Sequence, residues 1–129
     1  MSRGLGDVYK RQGQADLHEI AKTVANKYHC IVVLTGKTDT ITDGDNTFIN
    51  QLSTSYFVTN VGSGDILSSV IAAYLGVSKD YYTAACTATT VFTATGVKAA
   101  RESSGFGQWQ VKFRDELASI KSSEVLSVL

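Results

Sequence analysis

Apolar residues recur at three- and four-residue spacing from Asp16 to Tyr28. Leu17, Ile20, Ala21, Val24 and Tyr28 share one face, which predicts an amphipathic helix. Asp16 is placed to cap that helix, with Glu19 reaching back in a capping-box arrangement. The pattern then changes. His29-Cys30-Ile31-Val32-Val33-Leu34 is a short apolar run without alternation, as for a strand covered on both faces of an α/β sheet. Thr35-Gly36 follows as a turn at the strand's carboxyl end, where open α/β sheets place ligands. Thr38 to Thr42 and Asn46 to Asn50 flank Asp43-Gly44-Asp45, and the Asp-Gly pair predicts a hairpin. Ser55 to Thr59, made of aromatic, β-branched and hydroxyl residues, reads as another short strand.

Helical spacing dominates the remainder. A helix is expected from Asp65 to about Tyr74, with Gly76 ending it and Ile66, Leu67, Val70, Ile71 and Ala73 covering a wide apolar arc. Ser78 is expected to cap a long helix running to about Ala100. On it Ala84, Ala85, Ala88, Ala94 and Gly96 leave a slim surface suited to close packing. A last helix, about Gly107 to Ile120, puts Trp109, Phe113, Leu117 and Ile120 on one stripe, which reads as core. Ser122 to Leu129 carries no clear pattern. Strand and hairpin pieces followed by a helical block fit an α/β fold better than an all-α one. With no proline, no low-complexity linker and no repeat, the chain reads as one continuous unit.

Composition narrows the function classes. The chain has 129 residues, 43% hydrophobic and 19% charged, values of a globular protein and not of a disordered one. Twelve basic and twelve acidic residues cancel, so no field recruits nucleic acid or anionic lipid. No apolar stretch is long enough to span a bilayer, and no secretory segment opens the chain. Cys30 and Cys86 lack metal-ligand spacing and read as buried thiols of a reduced, cytoplasmic compartment. His18 and His29 have no partner at ligand or triad spacing. Asp39, Asp43 and Asp45 suit hairpin turns for backbone reasons, so no metal-binding residue is assigned. Thr83, Thr87, Thr89 and Thr90 either contact an adenine or bond back to helix carbonyls, and the latter is the default.

The first dozen residues stand apart. Met1 to Gln12, MSRGLGDVYKRQ, has no apolar periodicity. Its Ser2 to Gln12 resembles one reading frame of a transposon-end adaptor used in shotgun DNA library preparation. Residues 1–12 are therefore expected to be a non-native segment, with native sequence beginning at Gly13 and more of it missing upstream.

One stretch concentrates chemistry: Val58-Thr59-Asn60-Val61-Gly62-Ser63-Gly64-Asp65-Ile66-Leu67-Ser68-Ser69. A glycine-rich turn opening a helix presents free N–H groups backed by the positive end of the helix dipole, a geometry that receives a phosphoryl group in transfer. Asp65 lies at the same place. A helix amino terminus favours the ionised carboxylate, which beside a substrate hydroxyl accepts its proton as the oxygen attacks.

Several segments in order carry a resemblance to the ribokinase-like superfamily, and most closely to the hydroxyethylthiazole kinase family. They are Val33-Leu34-Thr35-Gly36-Lys37-Thr38-Asp39, Thr42-Asp43-Gly44, Val61-Gly62-Ser63-Gly64-Asp65 with Leu67 to Ala73 behind it, Gly105-Phe106-Gly107-Gln108-Trp109 and Phe113-Arg114-Asp115-Glu116-Leu117. The resemblance covers Gly13 to about Leu129 and implies the carboxy-terminal part of a three-layer αβα fold. It implies ATP-dependent, Mg²⁺-assisted phosphorylation of 4-methyl-5-(2-hydroxyethyl)thiazole in thiamine salvage by a homotrimer. Thr35 and Gly36 would contact ATP, Gly62, Ser63 and Gly64 would form the anion hole, Gly62 would also touch the thiazole alcohol, and Asp65 would be the base. Two positions depart from the family pattern. Asp65 stands where the family often has Cys and the wider superfamily Asp, and Lys37, expected to be exposed, stands where Glu is frequent. Two rival readings follow: a kinase of another small alcohol such as a hydroxymethylpyrimidine, or a related ATP-dependent dehydratase; and an inert truncated fragment.

Overall fold

A computed structural model describes residues 14–129, with side chains from Asp16 onward. The adaptor-like run Ser2 to Gln12 lies outside the described residues. The described chain is mixed α/β, and it divides after Ile49 into two compact units. Short local strand pairing organises the first and helix packing the second.

In the first unit, helix α1 (Gln14–Tyr28) packs on strands β1 (Val32–Leu34) and β2 (Asp39–Thr42). It buries Ala21 and Ala25, whereas Tyr28, expected on the apolar face, is exposed at the helix end. Asp16 lies in the first turn and is not the cap, because the helix already includes Gln14. β1 is half-buried throughout and runs antiparallel to β2, pairing Val32 with Thr42, Val33 with Ile41 and Leu34 with Thr40. The expectation of a strand covered on both faces fails because a connection of only Thr35 to Thr38 folds the chain back beside itself, whereas a parallel neighbour needs a long crossover. Cys30 is likewise exposed and Cys86 half-buried, not buried as expected.

β2 is the buried centre, in the order β1-β2-β3, with β3 at Thr47–Asn50. Its hydroxyls are all answered. Thr40, 1% exposed, meets His18 Nδ1 at 2.7 Å, and Thr42 donates to the Asn46 carbonyl at 2.6 Å. His18, expected on a polar surface, thereby satisfies a buried strand. The Asp43–Asn46 turn forms as the Asp-Gly pair predicts. Asp43 Oδ1 accepts from the amides of Asp45 (3.0 Å) and Asn46 (2.7 Å), and the Asn46 side chain, foremost, holds the Asp43 carboxyl below its ordinary range. Gly44 sits at φ 103°, and a Cβ there would overlap the Asn26 side chain, so glycine is required twice over.

The second unit is helical: α2 (Ser55–Thr59), α3 (Ser63–Leu75), α4 (Tyr81–Arg101), α5 (Phe106–Ser119) and α6 (Ser122–Val128). α4 is the hub, packing on α3, α5, α6 and α2. Its Ala84, Ala85, Ala88, Ala94 and Gly96 are buried, as the slim face predicts. Asp80, not Ser78, caps it: Oδ1 accepts from the Thr83 amide (3.0 Å) and Oδ2 from the Thr83 hydroxyl (2.6 Å). Thr89, Thr90, Thr93 and Thr95 donate back to the carbonyls of Ala85, Cys86, Thr89 and Val91.

Ser55 to Thr59 is a helix, not the expected strand. Adjacent residues of a strand point to opposite faces, but Tyr56 and Phe57 both reach Trp109, at centroid distances of 5.3 and 5.5 Å. A turn of helix satisfies both, with Thr54 capping it. Phe57 also stacks on Phe92 at 4.9 Å and lies over Gly96, where any Cβ would overlap its ring. Trp109 and Phe113 are fully buried and stacked at 5.1 Å, and Trp109 Nε1 donates to the Gly96 carbonyl at 2.9 Å.

α6, for which the sequence shows no pattern, buries Val125 and Val128 against Ala94. A charge cluster ties it to its neighbours. Lys98 Nζ lies 2.6 Å from Glu116, 3.5 Å from Glu124 and 3.7 Å from Glu102, and Lys112 lies 2.8 Å from Glu102. The Glu116 hydrogen bond raises Lys98 above its usual range. Lys112 lowers Glu102, and the Lys121 amide, followed by the Lys98 charge, lowers Glu124. A carboxylate lowered on folding stabilises above its ordinary pKa and loses that contribution as pH falls through the folded value, and a raised lysine loses its own as pH rises through the folded value. The difference in thermal midpoint between wild type and Lys98→Met is therefore expected to hold steady at neutral pH. It should shrink below the ordinary carboxylate value of 4.5 and above the ordinary lysine value of 10.5. Midpoints measured across pH check this.

Candidate functional site

The glycine-rich turn forms, with a shifted helix start. The Asn60 carbonyl accepts from the Ser63 amide at 3.2 Å, closing a four-residue turn. Gly62 occupies its third position at φ 92° and ψ 4°. Those are the angles of a type II turn, which calls for glycine there. The helix begins at Ser63, two residues before the expected Asp65, because Gly62 itself serves as the N-cap. Asp65 is thus the third helical residue and not the cap.

The shift preserves the donors, since the first amides of any helix have no intrahelical acceptor. Among the described residues, the amides of Gly62, Gly64 and Asp65 make no hydrogen bond to protein, whereas that of Ser63 is committed to Asn60. Asp65 is exposed, and its Oδ2 lies 3.9 Å from where a Gly62 Cβ would stand, so the carboxylate folds back over the glycine turn. Gly64 is open: a Cβ there would meet nothing within 4 Å. One turn therefore combines free amide donors, the helix dipole and an accessible carboxylate, a set suited to an anion that develops charge beside a proton acceptor.

Two residues that sequence reasoning missed hold this turn. Asn60, 5% exposed, donates through Nδ2 to Ser63 Oγ (3.0 Å) and accepts at Oδ1 from Gln110 Nε2 (2.8 Å). Nothing in the linear pattern pairs residues fifty positions apart. Ser63 Oγ donates to the Asn60 carbonyl at 2.8 Å. Thr35 and Gly36 belong to the first unit, where both are exposed in the turn after β1 and the Gly36 amide donates to Asp39 Oδ1 at 3.3 Å. Lys37 is exposed, as expected.

Elsewhere in the second unit, a cleft of about 460 Å³ opens among Val70, Tyr74, Val91, Leu117, Ile120 and Val125. Its walls are mostly apolar, with Thr87 and Ser122 among them. Among the described residues no cluster of three His, Cys, Asp or Glu side chains could hold a metal, and no helix is long and apolar enough to cross a membrane.

The model of the hydroxyethylthiazole kinase family matches residues 2–123, beginning inside the adaptor-like run. A hydroxyethylthiazole kinase of Limosilactobacillus reuteri is 48% identical over 108 residues, covering 84% of this chain and 40% of that protein. One from Methanosarcina acetivorans is 38% identical over 114 residues, covering 88% of this chain and 44% of that protein. The solved structure of a hydroxyethylthiazole kinase protein from Pyrococcus horikoshii OT3 superposes with a TM-score of 0.83 at 23% identity, over 89% of this chain and 45% of that one, and speaks for the fold alone. This chain thus spans less than half the length of these relatives. A match over residues 2–123 and the order of its motifs place it plainly: the chain belongs to the hydroxyethylthiazole kinase family.

Proposed function

We propose that the protein carrying this chain transfers the γ-phosphate of ATP to the primary hydroxyl of 4-methyl-5-(2-hydroxyethyl)thiazole, as a cytoplasmic homotrimer in thiamine salvage. The observation that carries this reading is the Asp65 carboxylate folded over Gly62, on the turn whose Gly62, Gly64 and Asp65 amides make no hydrogen bond to the described protein. Asp65 takes the hydroxyl proton as the oxygen attacks. The amides at Gly62, Gly64 and Asp65 receive the negative charge spreading over the migrating group, and Ser63 fixes the turn they sit on. Thr35 and Gly36 supply the ATP contacts of the first unit.

The donor set fits a nucleotide phosphate. Mg²⁺, when bound, neutralises phosphate charge. Asp65 is the one carboxylate on the turn, so the ion would be held largely by phosphate oxygens, which is usual for this cation. Membership of the family by sequence match supports the reaction class.

The test is phosphate transfer from labelled ATP to the thiazole alcohol by the full-length protein, with Gly64→Ala as the diagnostic variant. Alanine meets no protein atom there and improves helix propensity by about 0.5–1 kcal/mol, so the thermal midpoint is expected to hold or rise. A phosphoryl group seated on the backbone would collide with the new methyl, and an overlap costing about 1–3 kcal/mol lowers turnover roughly tenfold to a hundredfold. Unchanged turnover in Gly64→Ala would remove the anion from this turn.

A further inference from the structure

The turn that carries Asp65 is fixed from a distance by a directed chain of hydrogen bonds. Ser63 Oγ gives its single hydrogen to the main chain, 2.8 Å from the Asn60 carbonyl and 3.3 Å from that of Phe57. It can therefore only accept from Asn60, which must turn Nδ2 toward it. The amide's other end, Oδ1, then faces Gln110 and accepts from Nε2 at 2.8 Å. Asn60 is 5% exposed, so water does not readily replace that partner. Gln110 follows Trp109 on α5, and Trp109 is fully buried and stacked on Tyr56 and Phe113. A rigid aromatic core thus reaches, through Gln110 and Asn60, to the first residue of the helix that presents the free amides.

We infer that Gln110 is a positioning residue for phosphoryl transfer: through Asn60 it holds the Gly62–Asp65 turn where its amides and carboxylate meet the migrating group and the attacking hydroxyl. The inference rests on the kinase reading above. Small misplacement of donors weakens the stretched, highly charged transition state more than the bound reactants, so its signature is a loss of kcat with little change in KM.

The experiment uses the full-length protein with ATP and the thiazole alcohol and compares Gln110→Leu, Gln110→Glu and Asp65→Asn. Leucine removes the donor and is expected to lower kcat roughly tenfold to a hundredfold, with both KM values within about twofold of wild type. Ionised glutamate turns a second acceptor toward Asn60 Oδ1 and lowers kcat similarly near pH 8. As pH falls through the carboxylate range it protonates and donates again, so the ratio of its kcat to that of wild type climbs toward one. A bystander glutamine predicts no such recovery. Wild-type kcat in both Gln110 variants, a loss confined to KM, or a Gln110→Glu defect indifferent to pH would overturn the positioning role. If Gln110→Leu does not fold, the pH dependence of Gln110→Glu decides alone. Absence of phosphate transfer by the wild-type protein overturns the kinase reading, and full turnover by Asp65→Asn takes the carboxylate out of the turn that Gln110 is inferred to position. Lost turnover by Asp65→Asn beside normal Gln110 variants overturns the positioning role alone.

Discussion

Replacing Asp65 by asparagine in the full-length protein is expected to lower kcat by about 10²- to 10⁴-fold, the usual contribution of a positioned general base. The substitution keeps shape and removes the proton acceptor. The Asp65 side chain is exposed and makes no hydrogen bond to another described residue, so its loss strands no buried partner and the thermal midpoint should stay close to wild type. ATP affinity should change little, because the amides of Gly64 and Asp65 belong to the backbone and survive the change. Equilibrium binding of ATP alongside steady-state turnover separates the two effects. Normal turnover would take the proton-accepting role away from Asp65. Weakened ATP binding with intact turnover of bound substrate would recast its carboxylate as a contact of the nucleotide and not of the alcohol.

The second large effect is on stability. Trp109→Ala is expected to destabilise the helical unit by about 3–5 kcal/mol, the range for deleting a large aromatic from a closed core. Trp109 is 0% exposed, meets Tyr56, Phe57, Phe106 and Phe113, and donates to the Gly96 carbonyl. Its removal opens a cavity under α2 and frees the segment that leads into the Asn60–Ser63 turn. Denaturant unfolding measures the loss. A change below about 1 kcal/mol would mean that the ring stack closes over the gap, contrary to the near-crystalline packing of protein interiors. Trp109→Phe restores most of the volume but not the indole N–H, so it should fall between the two.

Much of this architecture was legible in the chain. The spacing of Leu17, Ile20, Ala21 and Val24 marked a helix, Asp43-Gly44 marked the turn that forms, and the small residues of α4 marked the helix that others pack on. Trp109 and Phe113 were legible as core. What failed depended on contacts made at long range. Tyr56-Phe57-Val58 has the composition of a strand, and only the aromatic partners on α4 and α5 require it to coil. The start of α3 moved because a type II turn takes Gly62 as its third residue, and nothing in Gly-Ser-Gly-Asp says which glycine takes the positive φ. α6 is too short for seven residues to reveal a period, and its two buried valines are explained by Ala94 and by Leu52, Val91, Val97 and Ile120 packed around them. At the candidate site, the carboxylate and glycines could be read in advance because they lie side by side. The amides that hold them could not, because Asn60 and Gln110 meet only once the helices assemble.

The hydroxyls of α4 carry a consequence for how this helix tolerates change. Thr89 and Thr95 are buried at the hub, yet each returns its hydrogen to its own helix and so asks nothing of its neighbours, unlike Thr93, whose hydroxyl also accepts from Asn50 Nδ2 at 2.9 Å. Trimming such positions leaves α3, α5 and α6 little to miss, while enlarging them wedges apart surfaces that already touch. Evolutionary drift along this helix should therefore be lopsided, free among alanine, serine and threonine and closed to anything broader.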